Sequence, residues 1–152
     1  MPRHPSKDFN IIKADPIYNS ILIQKLTNQL MKKGKKTLAR RILNKTIQQI
    51  EIKTKQDPVH IIEQAIINTK PAVEIKVRRI GGAIYSIPIE LSSERGTSTA
   101  IRWIIGCCKN KSGQSFVLKL TNEIIDASNK MGLAIRKRDE VHKLAESNSR
   151  LI

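Results

Sequence analysis

Lys32, Lys33, Lys35 and Lys36 bracket Gly34, and Arg40 and Arg41 follow about one helical turn later. Ammonium and guanidinium groups at this density neutralise phosphate. The glycine lets the backbone approach a surface closely, and a helix starting beyond it turns its positive end towards an anion. A second set lies in Lys76-Val77-Arg78-Arg79-Ile80-Gly81-Gly82. Arginine pairs phosphate through a planar fork, and paired glycines suit a tight turn. Tyr85, just beyond, has two uses open to it: stacking on a base, or capping the apolar side of its own hairpin. A third set joins Arg95 with Arg102 and Trp103, the arginines about two helical turns apart. Trp103 suits either a core or a stacking platform. Arg136, Lys137 and Arg138 form a fourth set, and Asp139 and Glu140 follow at once to pair part of it internally. Arg3 and Lys7 add charge to the first residues of the chain. Each set alone also fits a solvated charged surface; their sum points to a polyanion.

No catalytic or metal-binding pattern competes with that reading. Cys107 and Cys108 are adjacent, a spacing that suits neither a metal site nor a disulfide framework. Pairing either with His60 or His142 as nucleophile and base lacks any local signature, and both cysteines fall in an apolar helical pattern, so inert thiols are expected. His4, His60 and His142 do not space as metal ligands. Gly81-Gly82 alone is no phosphate cradle of the nucleotide-binding kind. The expectation is a protein that is not an enzyme and takes no metal or cofactor.

Charge supports the polyanion. The 152 residues hold 28 Lys and Arg against 13 Asp and Glu, a formal net charge of +15. Self-repulsion at this level opposes compaction, and a nucleic acid relieves it best. An anionic membrane surface and an acidic protein come next. The charge is uneven: residues 1–56 carry 13 basic and 3 acidic side chains, and residues 57–152 carry 15 and 10. No apolar run approaches the roughly 20 residues that cross a bilayer. The start, Met1-Pro2-Arg3-His4-Pro5, shows no signal or transit pattern, and the length suits one domain.

The elements that must position these cations follow from periodicity. Residues 1–14 read as a basic arm. Asp15-Pro16 then predicts a helix start, with Ile17, Ile21, Leu22, Leu26 and Leu30 at helical spacing and Gly34 as its stop. Leu38, Ile42, Leu43, Ile47 and Ile50 predict a second helix from about Lys36 to Lys53. Asp57-Pro58 opens a third, which Pro71 ends. The period then changes to two: Val73, Ile75 and Val77, then Tyr85, Ile87 and Ile89, flank the glycine pair and predict a β-hairpin over 73–90. Ala100 to Cys108, Phe116 to Ala127 and Leu133 to Ala145 supply three more helices. The predicted fold is mainly α: a six-helix bundle with one protruding β-hairpin between the third and fourth helices. A hairpin alone is marginal in water, so a partner is expected to steady it.

The stretch Pro71-Ala72-Val73-Glu74-Ile75-Lys76-Val77-Arg78-Arg79-Ile80-Gly81-Gly82, continuing through Tyr85-Ser86-Ile87-Pro88-Ile89-Glu90, closely resembles the signature of the bacterial-type small-subunit ribosomal protein number seven. Gly34-Lys35-Lys36, Ala100-Ile101-Arg102-Trp103, and the run from Arg136 through Asp139-Glu140-Val141-His142-Lys143-Leu144-Ala145-Glu146 match in order, so the resemblance covers about residues 14 to 148. It implies six helices with a protruding hairpin. It also implies binding to the 3′ major domain of small-subunit ribosomal RNA early in assembly of the subunit head. The hairpin would reach the exit site, near messenger RNA and transfer RNA. Family RNA contacts would fall on Lys35, Lys36, Lys76, Arg78, Arg79, Arg95, Arg102, Arg136, Lys137 and Arg138, with neighbouring head and platform proteins as partners.

The Asp15-Pro16-Ile17-Tyr18 opening resembles plastid members, and the excess of Ile, Lys and Asn suits an organelle genome. A plastid ribosome is therefore expected, with a bacterial cytoplasm as the alternative. Two departures stand out. Arg3 is followed by His4 and Pro5 where the family usually has adjacent arginines, and the tail Ser147-Asn148-Ser149-Arg150-Leu151-Ile152 lacks the usual aromatics. The rival reading of another class is a free helical module that binds DNA.

Overall fold

A computed structural model describes residues 12–149; the arm cations Arg3 and Lys7 and the end of the tail lie outside the described residues. Among the described residues, six helices occur in order: α1 (Ile21–Leu30), α2 (Lys36–Thr54), α3 (Pro58–Thr69), α4 (Ser93–Asn110), α5 (Phe116–Ser128) and α6 (Leu133–Ser149). Strands β1 (Val73–Ile80) and β2 (Ala83–Glu90) pair antiparallel between α3 and α4. The predicted fold class is the observed one.

The helix boundaries follow local chemistry. The Asp57 carboxylate accepts the Val59 N–H at 3.0 Å, and Pro58 fills the first turn of α3, where its missing N–H costs nothing. Lys55 closes α2 in the left-handed region, φ 56°. Pro71 holds Lys70 extended and ends α3.

The first helix departs from expectation. Asp15 does accept N–H groups, from Ile17 at 3.1 Å and Tyr18 at 3.3 Å, but the result is a turn and not a helix start. Asn19 adopts φ 49° and breaks the path, so α1 begins only at Ile21. Ile17 therefore lies outside the helix, 66% exposed, and does not join the core. An Asp side chain satisfies a turn as well as a helix cap, which is why the same signal worked at Asp57 and not at Asp15. At the other end, α1 stops at Leu30, ahead of the turn that contains Gly34.

All six helices supply the core. Ile23 and Leu26 of α1, Leu43, Ile47 and Ile50 of α2, and Ile62 and Ile66 of α3 meet Ile101 and Ile104 of α4 and Leu120 and Ile124 of α5, with Ala134 and Ile135 of α6 closing one end. The aliphatic composition is thus used for packing, at one apolar stripe per helix.

The hairpin has no dedicated apolar face. Its register pairs Arg78 with Tyr85, Lys76 with Ile87 and Glu74 with Ile89, whereas Val73, Ile75 and Val77 share the opposite face with Glu90, Pro88 and Ser86. Each face mixes an apolar row from one strand with a polar row from the other. The stem is held within the chain. The Ala72 N–H donates to His142 Nε2 of α6 at 3.2 Å, and Leu91 N–H donates to the Ala72 carbonyl at 3.0 Å. Glu74 of β1 also pairs with Arg95 of α4. The distal part, 76–79 and 81–85, is exposed, with Val77 at 66% and Ile84 at 73%. At the stem, then, α6 and α4 of the same chain steady the hairpin.

Candidate nucleic-acid interface

The corner between α1 and α2 presents the strongest charge. Lys32, Lys33, Lys35 and Lys36 are all exposed, and Arg41 is exposed on the first turns of α2. Among the described residues, ion pairs form only at Lys76, Arg95, Lys111 and Arg138, so none of the corner cations has a carboxylate partner. An exposed unpaired cation is free to displace counterions from phosphate.

The hairpin tip continues the pattern. Arg78 and Arg79 are exposed and unpaired among the described residues. Gly81 and Gly82 adopt φ 57° and 92°, the doubly left-handed turn that matches the twist of a two-residue hairpin. Beyond the chain neighbours, nothing lies within 4 Å of where a side chain would begin at either position, so the glycines are required by conformation and not by crowding. Tyr85 lies beside Arg78 and is 45% exposed. Its directly opposite cross-strand partner is charged, and Ile87 follows it on the same face. Gly82→Val should reshape the tip at a local cost of about 1–2 kcal/mol. Thermal unfolding of the bundle should be unchanged, and hydrogen exchange should quicken only in the hairpin. A matching loss of global stability would show that the tip belongs to the cooperative core.

Other predicted contacts are less free. Glu74 accepts from Arg95 Nε at 3.0 Å and lies 3.4 Å from the Lys76 ammonium. Desolvation alone would raise the Glu74 carboxyl, but hydrogen bonds and charge from Arg95, then Lys76, outweigh it and hold its pKa below the ordinary value. This carboxylate would compete with a phosphate for the N–H groups of Arg95 and Lys76 that it engages. Arg138 is turned inward, its side chain 25% exposed. It donates to the Asn68 carbonyl and, through Nε and Nη2, to Asp139 Oδ1 at 2.9 and 2.6 Å. Arg138 thereby ties α6 to the end of α3, and Arg136 and Lys137 remain as the exposed members of that set. The Lys137 ammonium sits 5.8 Å from the centre of the Trp103 ring, a cation–π distance. Trp103 is half-buried, while Arg102 beside it is exposed.

The thiols are poorly placed for chemistry. Burial, then the charge of Glu123, pushes Cys108 up to about 12, and burial likewise raises Cys107. Cys108 donates weakly to the Lys119 carbonyl, and His142 is engaged at the hairpin stem. Among the described residues, no group of three or more His, Cys, Asp or Glu side chains is arranged to hold a metal ion, and no helix is long and apolar enough to cross a membrane.

Sequence reasoning missed one organising residue. Glu123 is fully buried on α5. Its Oε2 meets the Lys111 ammonium at 2.6 Å, and its Oε1 accepts the Ala134 N–H at 2.8 Å. One carboxylate therefore ties the chain just after α4 to the first turn of α6, where a negative charge is favoured. The signal was available: Glu123 falls in phase with Leu120, Ile124 and Ala127, an acidic residue on an apolar stripe.

Comparison with known proteins adds the lineage. The family described as Ribosomal protein S7p/S5e matches residues 2–149. A Small ribosomal subunit protein uS7c from Tupiella akineta is 51% identical over 148 residues, covering 97% of this chain and 95% of the relative. The uS7c protein of Chlorella vulgaris is 49% identical with the same coverage. The uS7 protein of Gloeobacter violaceus is 46% identical over 137 residues, covering 90% of this chain and 88% of the relative. Over nearly its whole length, then, the chain belongs to the Ribosomal protein S7p/S5e family, in its bacterial-type branch with plastid members, and is a structural constituent of the small ribosomal subunit.

Proposed function

We propose that the protein binds the 3′ major domain of small-subunit ribosomal RNA and seeds folding of the subunit head in a plastid ribosome, with no catalytic role of its own. The carrying observation is the set of exposed cations at the α1–α2 corner and the hairpin tip that have no carboxylate partner among the described residues. Fixed on a rigid helical body, these cations form a pattern that a folded RNA can match by the positions of its phosphates, so shape decides specificity more than base sequence along a duplex. Lys32, Lys33, Lys35, Lys36 and Arg41 would hold the RNA at the corner. Arg78 and Arg79, with Tyr85 beside them, would reach the exit site near messenger and transfer RNA. Arg102, Arg136 and Lys137 would extend the contact, and Arg95 and Lys76 would join it by exchanging Glu74 for phosphate. Neighbouring head and platform proteins would complete the surroundings.

The test is cosedimentation with small subunits through high-salt gradients, followed by crosslink mapping. The protein should remain with the subunit, and crosslinks from 32–41 should fall in the 3′ major domain. Release at moderate salt, or crosslinks scattered over the RNA, would overturn the assignment.

A further inference from the structure

A cleft of about 480 Å³ opens between the segment before α1, α1 itself and the start of α2. Its walls bring together Lys13, Lys36 and Arg40 with the amides of Gln24 and Asn28. None of the three cations has an ion-pair partner among the described residues. Two of the lining residues each also carry a buried polar atom without a hydrogen-bond partner: Gln24 Oε1, an acceptor, and Arg40 Nε, a donor. Gln24 is only 7% exposed. Its amide is held by one bond, Nε2 to Asn28 Oδ1 at 3.1 Å on the next turn of α1. Buried polar groups are nearly always satisfied in native proteins, so two orphans on one cleft mark a site that is completed by something else.

Resting on the RNA-binding reading, we propose that this cleft takes one unstacked nucleotide of the bound RNA and reads its base. Lys13 and Lys36 meet the flanking phosphates. The base edge donates an N–H to Gln24 Oε1 and accepts from Arg40 Nε, the donor–acceptor pairing by which amide and guanidinium side chains recognise bases. Solvent does not reach either atom in the free protein, so engagement needs both Gln24 and Arg40 to turn about their side-chain torsions, and the hydrogen bond that the Gln24 amide gives up is the one to Asn28. The corner then differs from a purely electrostatic surface: it adds one position of direct base readout, set by a neutral residue.

Neutrality makes the proposal separable from phosphate binding. Gln24→Leu should weaken binding to a head-domain ribosomal transcript about tenfold with an unchanged salt slope and no fall in melting temperature. Arg40→Met should lower both the affinity and the slope, the latter by about one. In 2′-hydroxyl acylation probing, one unpaired nucleotide should change reactivity on binding the wild-type protein and revert in the Gln24→Leu complex, with the rest of the footprint intact. Unchanged affinity and footprint for Gln24→Leu would overturn the proposal, as would an affinity loss accompanied by a lower melting temperature. A triple Lys32, Lys33 and Lys35→Gln variant separates the two levels. If it weakens RNA binding and Gln24→Leu does not, only the base pocket fails. If neither matters, the RNA-binding reading fails with it.

Discussion

Lys111→Met should destabilise the protein by about 3 kcal/mol at neutral pH, the low end of what stranding a buried charge costs. The Glu123 carboxylate has no exposure, whereas the Lys111 side chain is 30% exposed. Removing the lysine leaves a buried negative charge whose remaining bond is to the Ala134 N–H. Water can follow the vacated stem part of the way, which sets the estimate at the low end. The consequence should be local as well as global, because the same carboxylate anchors the start of α6. Its Oε1 lies 3.1 Å from where a side chain would begin at Gly132, so the approach to α6 has no slack.

The pH dependence has a definite sign. In the wild type, partial burial works against the Lys111 ammonium, but the hydrogen bond and charge of Glu123 more than offset it and raise its pKa above the ordinary 10.5. A raised lysine stabilises the fold fully below its unfolded pKa and loses that contribution as pH rises through the folded value. The wild-type pair should therefore hold throughout neutral pH and weaken only above about pH 10.5. Lys111→Met lacks this contribution at every pH, so its deficit relative to the wild type should be full at pH 7 and shrink as pH rises above about 10.5. Urea unfolding at pH 7 and above about pH 10.5 reads the effect. A deficit under about 1 kcal/mol at pH 7 would match an ordinary surface pair and show that the brace is idle.

Changing Lys32, Lys33 and Lys35 together to Gln should reduce the salt slope of RNA binding by about 2 to 3 and lower affinity by about two orders of magnitude at 0.1 M salt. The estimate follows from the exposure of all three and their lack of carboxylate partners among the described residues. Each lysine that neutralises a phosphate releases close to one counterion, so the loss should shrink as salt rises. The melting temperature should stay the same or increase, since three repelling charges leave a body of high net charge. Titrations over a range of salt concentrations separate this result from misfolding. An unchanged slope would remove the corner from the interface.

The large features of the fold were legible because they rest on local signals. Pro58 after Asp57, the period-two runs around Gly81-Gly82, and the apolar stripes of α2 to α5 each specify their element with little help from the rest of the chain. The α1 start was not legible, because Asp15 serves a turn and a helix cap equally well and Asn19 decided between them. The hairpin faces were hidden for another reason. Both strands alternate, but their phase relative to each other is fixed by the turn, which sets Arg78 opposite Tyr85. Side-chain fate was the least legible of all. Nothing local says that Arg138 turns inward to the Asn68 carbonyl while Arg136 and Lys137 stay exposed, or that Gln24 is buried with an unpartnered oxygen. Those outcomes depend on helices distant in sequence.

Equilibrium competition at fixed salt gives the most direct check on the claim that the protein is built around a folded RNA. The full-length protein would be bound to a labelled 3′ major-domain transcript and challenged with unlabelled transcript, duplex DNA of equal length, and polyphosphate, all matched in phosphate concentration. The unlabelled transcript should displace the label at far lower concentration than either other polyanion. Equal displacement by all three would reduce the cation pattern to undirected charge and contradict the central claim.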